Sequence, residues 1–251
     1  MFDHAATGGG RRDAVRPLDP SSLPADAAAV AASWDRHAIG YGAQEALEAR
    51  AIDAALRVAA IGPDERLVDL ATGTGLLLRR LAARAAPPRE ALGVDRSAGM
   101  LARVGELPPG WSTLLADARS VPLADGWADV ATCSFLLHLM GPGQRAEVLA
   151  EARRLLAPGP SARLVVVTVW SAGRPVGARL ARAALGLAAR SRPASWGGLR
   201  ALDPSEDLRA AGFVLTRRVV LPRHGYPSLV IAARPSIALA RAPAGPSFRS
   251  S

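Results

Sequence analysis

The sequence predicts an α/β fold with a doubly wound, mainly parallel sheet and helices on both of its faces. Apolar runs of strand length alternate with helix-compatible segments from Leu67 to Val169, an order that is typical of parallel strands joined by helices. With 251 residues, the chain is long enough to bury a full core in one domain. Hydrophobic residues make up 49% of it, but no apolar run reaches the roughly 18 residues that a membrane-spanning helix needs.

The two ends of the chain differ in composition from the middle. Residues 1–30 and 235–251 are rich in Gly, Pro, Ala and Arg, and they are predicted to be disordered because they have little apolar surface to bury. The domain is therefore predicted to span residues 31–234. No stretch near the N-terminus combines a basic start with an adequate apolar region, so the sequence indicates a cytoplasmic protein.

The domain is predicted to open with one helical segment from Trp34 to Ile61, because apolar residues recur there at helix-compatible spacing. Gly62-Pro63 terminates that helix. A short buried strand follows and runs into a turn of small residues that begins the next helix. Strand–helix units of this kind then continue along the chain, and no internal repeat is evident.

Two carboxylates lie at the carboxyl ends of consecutive predicted strands. Asp69 precedes the turn Ala71-Thr72-Gly73-Thr74-Gly75, and Asp95 ends the next apolar run. Ligands of open α/β sheets bind beyond these strand ends, where an acidic side chain can accept hydrogen bonds from ribose hydroxyls. The dinucleotide pattern G-x-G-x-x-G is absent, and a carboxylate before the turn would repel a pyrophosphate but attract an ammonium group. The pattern therefore predicts an adenosine-containing cofactor other than a dinucleotide.

The series of motifs resembles that of the class I S-adenosylmethionine-dependent methyltransferases. The stretch from Asp69 to Gly75 is similar to the first motif of that family, with Ala71 in place of a glycine, and this variant is similar to the ubiquinone/menaquinone-biosynthesis branch. Five further stretches are similar to later motifs: Asp95–Leu101, Leu115–Ala118, Val121–Asp125, Trp127–Ala131 and Glu151–Gly159. The resemblance covers residues 34–234 and implies a Rossmann-like sheet of seven strands, with S-adenosyl-L-methionine as the cofactor.

The resemblance also implies roles for individual residues. Asp69 is expected to orient the ammonium group of the cofactor, Asp95 to bind the ribose hydroxyls, and Asp117 to accept a hydrogen bond from the adenine amino group. The rest of the expected cofactor site consists of Ala71, Thr72, Gly73, Gly75, Arg96, Met100, Ala118, Ser134 and Phe135. Tyr41 and Trp34, from the first helical segment, are expected to close the site.

Histidine is suited to proton transfer near neutral pH. His138 follows the fourth predicted strand and is the first candidate for a catalytic general base; the alternative is a histidine that caps a helix or fills the core. His37 and His224 are further candidates. The four histidines show no spacing that is typical of metal ligands, so no metal site is predicted. Cys133 lies in an apolar run and is interpreted as a small core residue.

Residues 170–202 form an insertion between the fifth and sixth predicted strands. Within it, Val176 to Arg190 can form a basic amphipathic helix. In the family that the chain resembles, this insertion usually covers the substrate. The alternatives are a solvated helix that packs on the sheet and a helix that contacts a membrane surface, although Gly and Ala weaken its apolar face. After the insertion, Asp203-Pro204 predicts a new helix with Asp203 as its N-cap.

The composition excludes several classes of protein. The chain contains no lysine, so the 31 residues counted as Lys+Arg are all arginine. Phosphate-loop NTPases and pyridoxal-phosphate enzymes need a lysine and are excluded. The net charge of +9 suggests a nucleic-acid partner, but the arginines are scattered and aromatic residues make up only 4% of the chain, which argues against that partner.

These observations together predict methyl transfer from S-adenosyl-L-methionine to oxygen, carbon or nitrogen of a small molecule. Quinone-like and natural-product acceptors are favoured by the resemblance, and the protein is expected to act as a monomer or a homodimer. Two alternatives stay open. One is a catalytically inactive protein that binds the cofactor and has a regulatory or assembly role, and the other is a nucleic-acid methyltransferase.

Overall fold

The computed structural model describes residues 25–170, 201–222 and 225–236. The described chain begins with helices α1 (Ala25–His37) and α2 (Gly42–Ala59), joined by a 3-10 turn at Ala38–Gly40. Strands and helices then follow in the order β1 (Arg66–Leu70), α3 (Leu76–Ala82), β2 (Glu90–Asp95), α4 (Ala98–Leu101), β3 (Trp111–Leu115), β4 (Val130–Ser134), α5 (Pro142–Leu155), β5 (Arg163–Val169), α6 (Ser205–Ala210), β6 (Phe213–Leu221) and β7 (Ser228–Pro235). A second 3-10 turn, Leu137–Leu139, lies between β4 and α5.

In the described part of the chain, seven strands form one sheet in the order β3-β2-β1-β4-β5-β7-β6. The strands from β3 to β5 pair in parallel, whereas β7 is antiparallel to both β5 and β6. The prediction of a Rossmann-like, mainly parallel, seven-stranded sheet is therefore confirmed. The strand order reverses between β1 and β4, and such a reversal leaves a crevice at the carboxyl ends of the strands.

Apolar side chains cover both faces of the sheet because successive residues of a strand point to opposite sides. In β1, Val68 belongs to one core layer and Leu67 to the other. Leu149 of α5 lies in the layer of Val68, and Leu56 of α2 lies in the layer of Leu67. Helices therefore pack on both faces, as predicted.

The N-terminal elements differ from the prediction in two ways. Residues 25–30 belong to α1 rather than to a tail, because this alanine-rich stretch has high helix propensity and Ala31 and Ala38 are buried. The helix predicted to run unbroken from Trp34 is interrupted by the 3-10 turn at Ala38–Gly40. The turn changes the direction of the chain, so α1 reaches α4 while α2 packs against the sheet.

The start of α6 is also shifted from its predicted position. The N-cap of this helix is Pro204 rather than Asp203. The Oδ1 atom of Asp203 accepts hydrogen bonds from the backbone N of Ser205 at 3.1 Å and from its hydroxyl at 2.5 Å. Asp203 therefore still satisfies a donor at the helix start, as predicted, from one residue further out.

Several predicted features lie outside the described residues. They are most of both tails, the insertion at residues 171–200 with its amphipathic helix, and His224. Among the helices that the structure does describe, none is both long enough and apolar enough to cross a membrane.

Candidate active site

A cleft opens at the carboxyl ends of β1, β2 and β4, where the strand order reverses. The lining residues come from α1, α2 and the loops that follow the strands. Twelve of the residues predicted for the cofactor site line it: Tyr41, Asp69, Ala71, Thr72, Gly73, Asp95, Arg96, Met100, Asp117, Ala118, Ser134 and Phe135. Trp34 lines it as well.

The turn after β1 has an unusual backbone, which explains its small residues. Ala71, Gly73 and Gly75 have φ values of 60°, 57° and 79°, in the left-handed region that favours glycine. Gly75 does not line the cleft; a Cβ added there would lie 2.7 Å from a methyl group of Val104. Gly75 therefore permits close packing below the turn, while Ala71 adopts a conformation that costs free energy for an alanine.

Asp95 holds this turn in place from the neighbouring strand. Its Oδ2 accepts a hydrogen bond from the backbone N of Gly73 at 2.8 Å, and its Oδ1 accepts one from the backbone N of Ser97 at 2.9 Å. Burial raises the pKa of Asp95 above its ordinary value, although these backbone hydrogen bonds oppose the rise. A carboxylate oxygen can accept two hydrogen bonds, so both oxygens keep the capacity to accept a ribose hydroxyl.

Asp69 lies one strand away and is almost fully buried, with 1% of its surface exposed. Its Oδ1 accepts a hydrogen bond from the hydroxyl of Thr132, its partner residue on β4, at 2.7 Å. Burial raises the pKa of Asp69 to about 6, because a charged carboxylate loses its water in this position. A cationic group placed nearby would stabilise the charged form, so Asp69 is suited to attract an ammonium group.

Asp117 is held by an arginine two residues further along. The Nε and Nη2 atoms of Arg119 donate to its two carboxylate oxygens at 3.0 and 2.9 Å, and the backbone N of Arg119 donates to Oδ1 at 2.9 Å. Burial acts to raise the pKa of Asp117, but the hydrogen bonds and charge of Arg119 outweigh it and hold the pKa below its ordinary value. Asp117 is therefore a fixed, ionised acceptor at the cleft wall.

The helix α1 forms part of the roof of the cleft and is attached through one carboxylate. The Oδ1 atom of Asp35 accepts hydrogen bonds from the hydroxyl of Ser97 at 2.5 Å and from the backbone N of Gly99 at 2.8 Å. A Cβ at Gly99 would lie 2.9 Å from the Cα of Asp35, so the close approach requires a glycine there. Trp34, the neighbour of Asp35, is thereby brought to the cleft.

The helix α2 is attached to the turn after β1. Glu45 accepts hydrogen bonds from the hydroxyl of Thr74 and, at 2.7 Å, from Nη2 of Arg79. Arg79 also donates to the backbone carbonyl of Thr74. This network fixes the first turns of α2 against the turn after β1, and the side chains of Tyr41 and Glu48 consequently line the cleft.

The wall formed by the end of β4 contains two unusual residues. Phe135 has a φ of 56°, a strained conformation of the kind that is often found at functional sites. Its ring contacts the rings of His138 and Tyr226 at centroid distances of 6.2 and 6.3 Å. The buried hydroxyl of Ser134 has no hydrogen-bond partner among the described residues, so a ligand could supply one.

The structure places His138 behind this wall rather than in it. Its side chain is 4% exposed, it does not line the cleft, and its Nδ1 has no partner within the described part of the chain. Burial lowers the pKa of His138 to about 4, because the charged form is desolvated. His138 is therefore neutral near pH 7 and is a weak base there. His37 bonds to the backbone carbonyl of Ser33 within α1 at 2.8 Å.

Sequence reasoning missed several cleft residues. Glu48 carries a buried carboxyl group that faces the cleft, and it is the one missed residue whose side chain can take part in proton transfer. The only signal for it was an acidic residue within an otherwise apolar stripe of the first helical segment. Apolar and hydroxyl side chains make up the others: Ile52, Thr74, Leu76, Leu77, Leu136, Leu139 and Met140.

The charges of the cleft favour a cationic ligand. Four carboxyl groups line it (Glu48, Asp69, Asp95 and Asp117), whereas Arg96 is its one cationic lining residue within the described ranges. Arg96 lies 3.9 Å from Asp117 and partly neutralises it. S-adenosyl-L-methionine carries a sulfonium and an ammonium group, and its ribose and adenine have donors for carboxylates. The residues present therefore fit this cofactor. No group of side chains in the described part of the chain is arranged to hold a metal ion.

Comparison with known proteins agrees with this fit. Residues 67–159 match the family described as a methyltransferase domain. The ubiquinone/menaquinone biosynthesis C-methyltransferase UbiE of Ralstonia pickettii is 39% identical over 109 residues, which cover 40% of this chain and 42% of the relative. The demethylmenaquinone methyltransferase of Thermus thermophilus is 37% identical over 133 residues, covering 51% of this chain and 56% of the relative. The chain thus spans about half the length of these curated relatives.

The fold is likewise shared with solved methyltransferases. Magnesium protoporphyrin IX methyltransferase from Synechocystis, solved with bound S-adenosylhomocysteine, has a TM-score of 0.58 and 18% identity, covering 82% of this chain and 93% of that one. Residues 67–159 thus match a methyltransferase domain, and the described sheet has the fold of solved methyltransferases.

Proposed function

We propose that this chain transfers a methyl group from S-adenosyl-L-methionine to a small-molecule acceptor. The observation that carries the proposal is the cleft at the strand-order reversal, where Asp69, Asp95 and Asp117 from three successive strand ends meet around one cavity. When bound, the cofactor supplies a methyl group attached to a sulfonium sulfur. That sulfur is a good leaving group because it departs as a neutral thioether. The protein then has to hold both reactants, align them and exclude water.

The residues of the chain divide this work between them. Asp69 attracts the ammonium end of the cofactor, the turn around Gly73 allows close approach of the backbone, and Asp95 receives the ribose. Asp117 is expected to accept from the adenine amino group with the lone pairs that Arg119 leaves. Trp34 covers the cleft from α1. These roles follow from position and charge, and they are proposals for each residue.

A quinone-like aromatic acceptor is favoured within the small-molecule class. The relatives described above are a ubiquinone/menaquinone biosynthesis C-methyltransferase and a demethylmenaquinone methyltransferase. The cleft lining includes apolar side chains, among them Ile52, Phe135, Leu139 and Met140, which suit a planar aromatic acceptor. Oxygen, carbon and nitrogen each remain open as the methylated atom.

The assignment of His138 as the general base remains a prediction. If it is the base, His138→Ala lowers turnover by about 100-fold or more while the affinity for S-adenosylhomocysteine is retained. Unchanged turnover in this variant would remove His138 from the mechanism. The buried position behind Phe135 makes the second result the one that the geometry favours.

Calorimetric titration with S-adenosylmethionine and S-adenosylhomocysteine, with NADH as a control, tests the cofactor assignment. We expect micromolar affinity for the first two ligands and none for NADH. Asp95→Ala removes the acceptor of the Gly73 and Ser97 amides, and it should weaken binding at least about tenfold. Failure of the wild-type protein to bind either sulfur ligand would refute the proposed function and shift attention to a regulatory or assembly role.

A further inference from the structure

Glu48 is a carboxyl group in an apolar setting that the cofactor roles above do not use. It lies in the middle of α2, is 5% exposed, and lines the cleft. The neighbouring buried residues of its helix, including Ala51 and Ile52, are apolar. A carboxyl group is almost never buried in such a place without a partner or a function. Because Glu48 lies in the wall of a ligand cleft, we infer that its carboxyl group acts on the ligand.

The hydrogen bonds of Glu48 leave one of its oxygens available to a ligand. Its Oε1 accepts from the hydroxyl of Tyr41 at 2.8 Å and from the side-chain amide of Gln44 at 3.4 Å. Within the described residues, no hydrogen bond engages Oε2. Tyr41 precedes α2 and lines the same cleft. Its hydrogen bond to Oε1 fixes the orientation of the Glu48 carboxyl group and leaves Oε2 available.

The groups around Glu48 make its carboxyl group easy to protonate. On its own helix, the negative charge of Glu45 raises the pKa of Glu48, as burial does, but the Glu45 carboxylate is paired with Arg79. On the other sides, the titratable neighbours are the hydroxyls of Tyr41 and Tyr226. Burial is the main cause that raises the pKa of Glu48 to about 7. Both protonation states are therefore accessible near neutral pH, as acid–base catalysis requires.

The loop that carries Tyr226 is seated tightly on α2 beside this group. The backbone N of Tyr226 donates to the carbonyl of Leu47 at 3.0 Å. A Cβ on Gly225, which has a φ of 103°, would lie 2.2 Å from the same carbonyl oxygen. Glycine at this position therefore allows the loop to pack closely on α2, and the ring of Tyr226 contacts the ring of Phe135, which lines the cleft.

We propose that Glu48 accepts the proton that the methyl acceptor loses, and that Tyr41 is the positioning residue that holds Glu48 toward the acceptor. The proposal rests on the proposed methyltransferase function and names the base and the acceptor class for it. It places the acceptor at the end of the cleft formed by α2 and Phe135.

The reaction balances with the groups named. An electron pair of the acceptor forms the new bond to the methyl carbon, and the carbon–sulfur bond breaks with its electron pair left on sulfur. This pair is a lone pair on oxygen or nitrogen, or a ring π pair where carbon is methylated, and an ammonium group must first give its proton to Glu48. The acceptor proton passes to Oε2 of Glu48, which becomes a neutral carboxylic acid. A positive and a negative charge both disappear, and a poorly solvated cleft favours such a change because charges are costly there.

The same arrangement selects the class of acceptor. Such an acceptor carries a proton to lose and is neutral or cationic, as a phenol, a hydroquinone or an ammonium group is. An acceptor carboxylate would meet the charge of Glu48 with no cationic side chain of the described cleft beyond Arg96, which is already close to Asp117. Carboxylate-bearing acceptors are therefore excluded by the proposal.

The test compares wild-type protein with Glu48→Gln and Glu48→Asp, and with Glu106→Gln as a matched change at an exposed carboxylate. Calorimetry with S-adenosylhomocysteine comes first. All four proteins should bind it within about threefold of one another, which shows that they are folded. If the wild-type protein does not bind, the proposed function fails, and this result is distinct from failure of the Glu48 assignment.

Initial rates with S-adenosylmethionine are then measured from pH 5 to 9 with dihydroxynaphthalene, catechol, phenethylamine and benzoate as acceptors. We expect turnover of a phenol or the amine, none of benzoate, and a wild-type kcat/KM that rises with pH through a midpoint near 7. Glu48→Gln should lose about 100-fold or more in kcat and lose that midpoint, whereas Glu48→Asp recovers part of the rate. Wild-type rates in Glu48→Gln, or methylation of benzoate, would overturn the assignment.

A second readout does not depend on turnover. Infrared titration should show the protonated carboxyl absorption of Asp69 disappearing near pH 6 and a second one, from Glu48, disappearing near pH 7. Both should be present in the wild-type protein and in Glu106→Gln, and only the second should be missing in Glu48→Gln. Adding dihydroxynaphthalene, catechol or phenethylamine together with S-adenosylhomocysteine should shift the midpoint of the Glu48 absorption. If none of the probes moves this midpoint, Glu48 does not contact the acceptor and the proposal fails. Tyr41→Phe should keep the Glu48 absorption and change its midpoint, which a purely structural tyrosine would not do.

Discussion

Replacement of Glu48 by Gln should make the protein more stable at alkaline pH, whatever acceptor it uses. The side chain is 5% exposed, and burial raises its pKa from an ordinary value of 4.5 to about 7. Glutamine keeps an oxygen that can accept the hydrogen bond of Tyr41, but it has no charge to desolvate. The variant therefore removes the cost of a buried carboxylate while it preserves size and the main contact.

The sign and size of the effect follow from proton linkage. The folded protein binds the proton of Glu48 more tightly than the unfolded chain does, so this group makes stability fall as pH rises from about 4.5 through about 7. One pKa unit corresponds to about 1.4 kcal/mol. The full loss is therefore about 3 kcal/mol at pH 8, and it is absent from the wild-type protein below pH 4.5 because Glu48 is then protonated in both states.

Urea unfolding at pH 5 and at pH 8 measures this difference. We expect Glu48→Gln to exceed the wild-type free energy of unfolding by about 3 kcal/mol at pH 8 and by less than about 1 kcal/mol at pH 5. Glu106→Gln, a change at an exposed carboxylate, should show no such pH-dependent gap. The same difference at both pH values, or a less stable variant at pH 8, would show that Glu48 does not titrate as a buried acid.

Three further substitutions test the packing around the cleft. Gly225→Ala should lower the free energy of unfolding by about 2 kcal/mol or more, because its Cβ would lie 2.2 Å from the carbonyl oxygen of Leu47; unchanged thermal unfolding would contradict this seating of the loop. Ala71→Gly should raise stability by up to about 1 kcal/mol, since the φ of 60° is strained for alanine, and urea unfolding would refute this if the midpoint fell. Leu114→Ala, at a position 1% exposed in β3, should cost about 2–5 kcal/mol in the same assay, and a loss below 1 kcal/mol would mean that this strand is loosely packed.

Most of the fold could be predicted because its signals are local. Apolar runs of strand length predict strands whatever follows them, and small residues after β1 predict a tight turn. The carboxyl ends of parallel strands must meet at one edge of a sheet. Asp69 and Asp95 were therefore predicted to lie near each other, and both line the cleft. The break between α1 and α2 was missed because alanine-rich sequence favours a helix on both sides of it.

The orientation of side chains was decided by the tertiary structure. His138 follows β4 as predicted, but the 3-10 turn at Leu137–Leu139 directs it behind Phe135. Arg119 engages Asp117 across a turn that the sequence does not specify. The orientation of each side chain depends on the surface against which it packs. That surface is formed by segments far away in the chain.

The sequence by itself thus determined the alternation of strands and helices, the turn after β1 and the acidic strand ends, because each depends on residues within a few positions of one another. The tertiary structure decided which further side chains enter the cleft. Glu48 becomes a buried acid only because the loop at Tyr226 and the turn at Thr74 pack on α2 from distant parts of the chain. Burial, which sets the chemistry of a carboxyl group, is a property of that packing and not of the residue type.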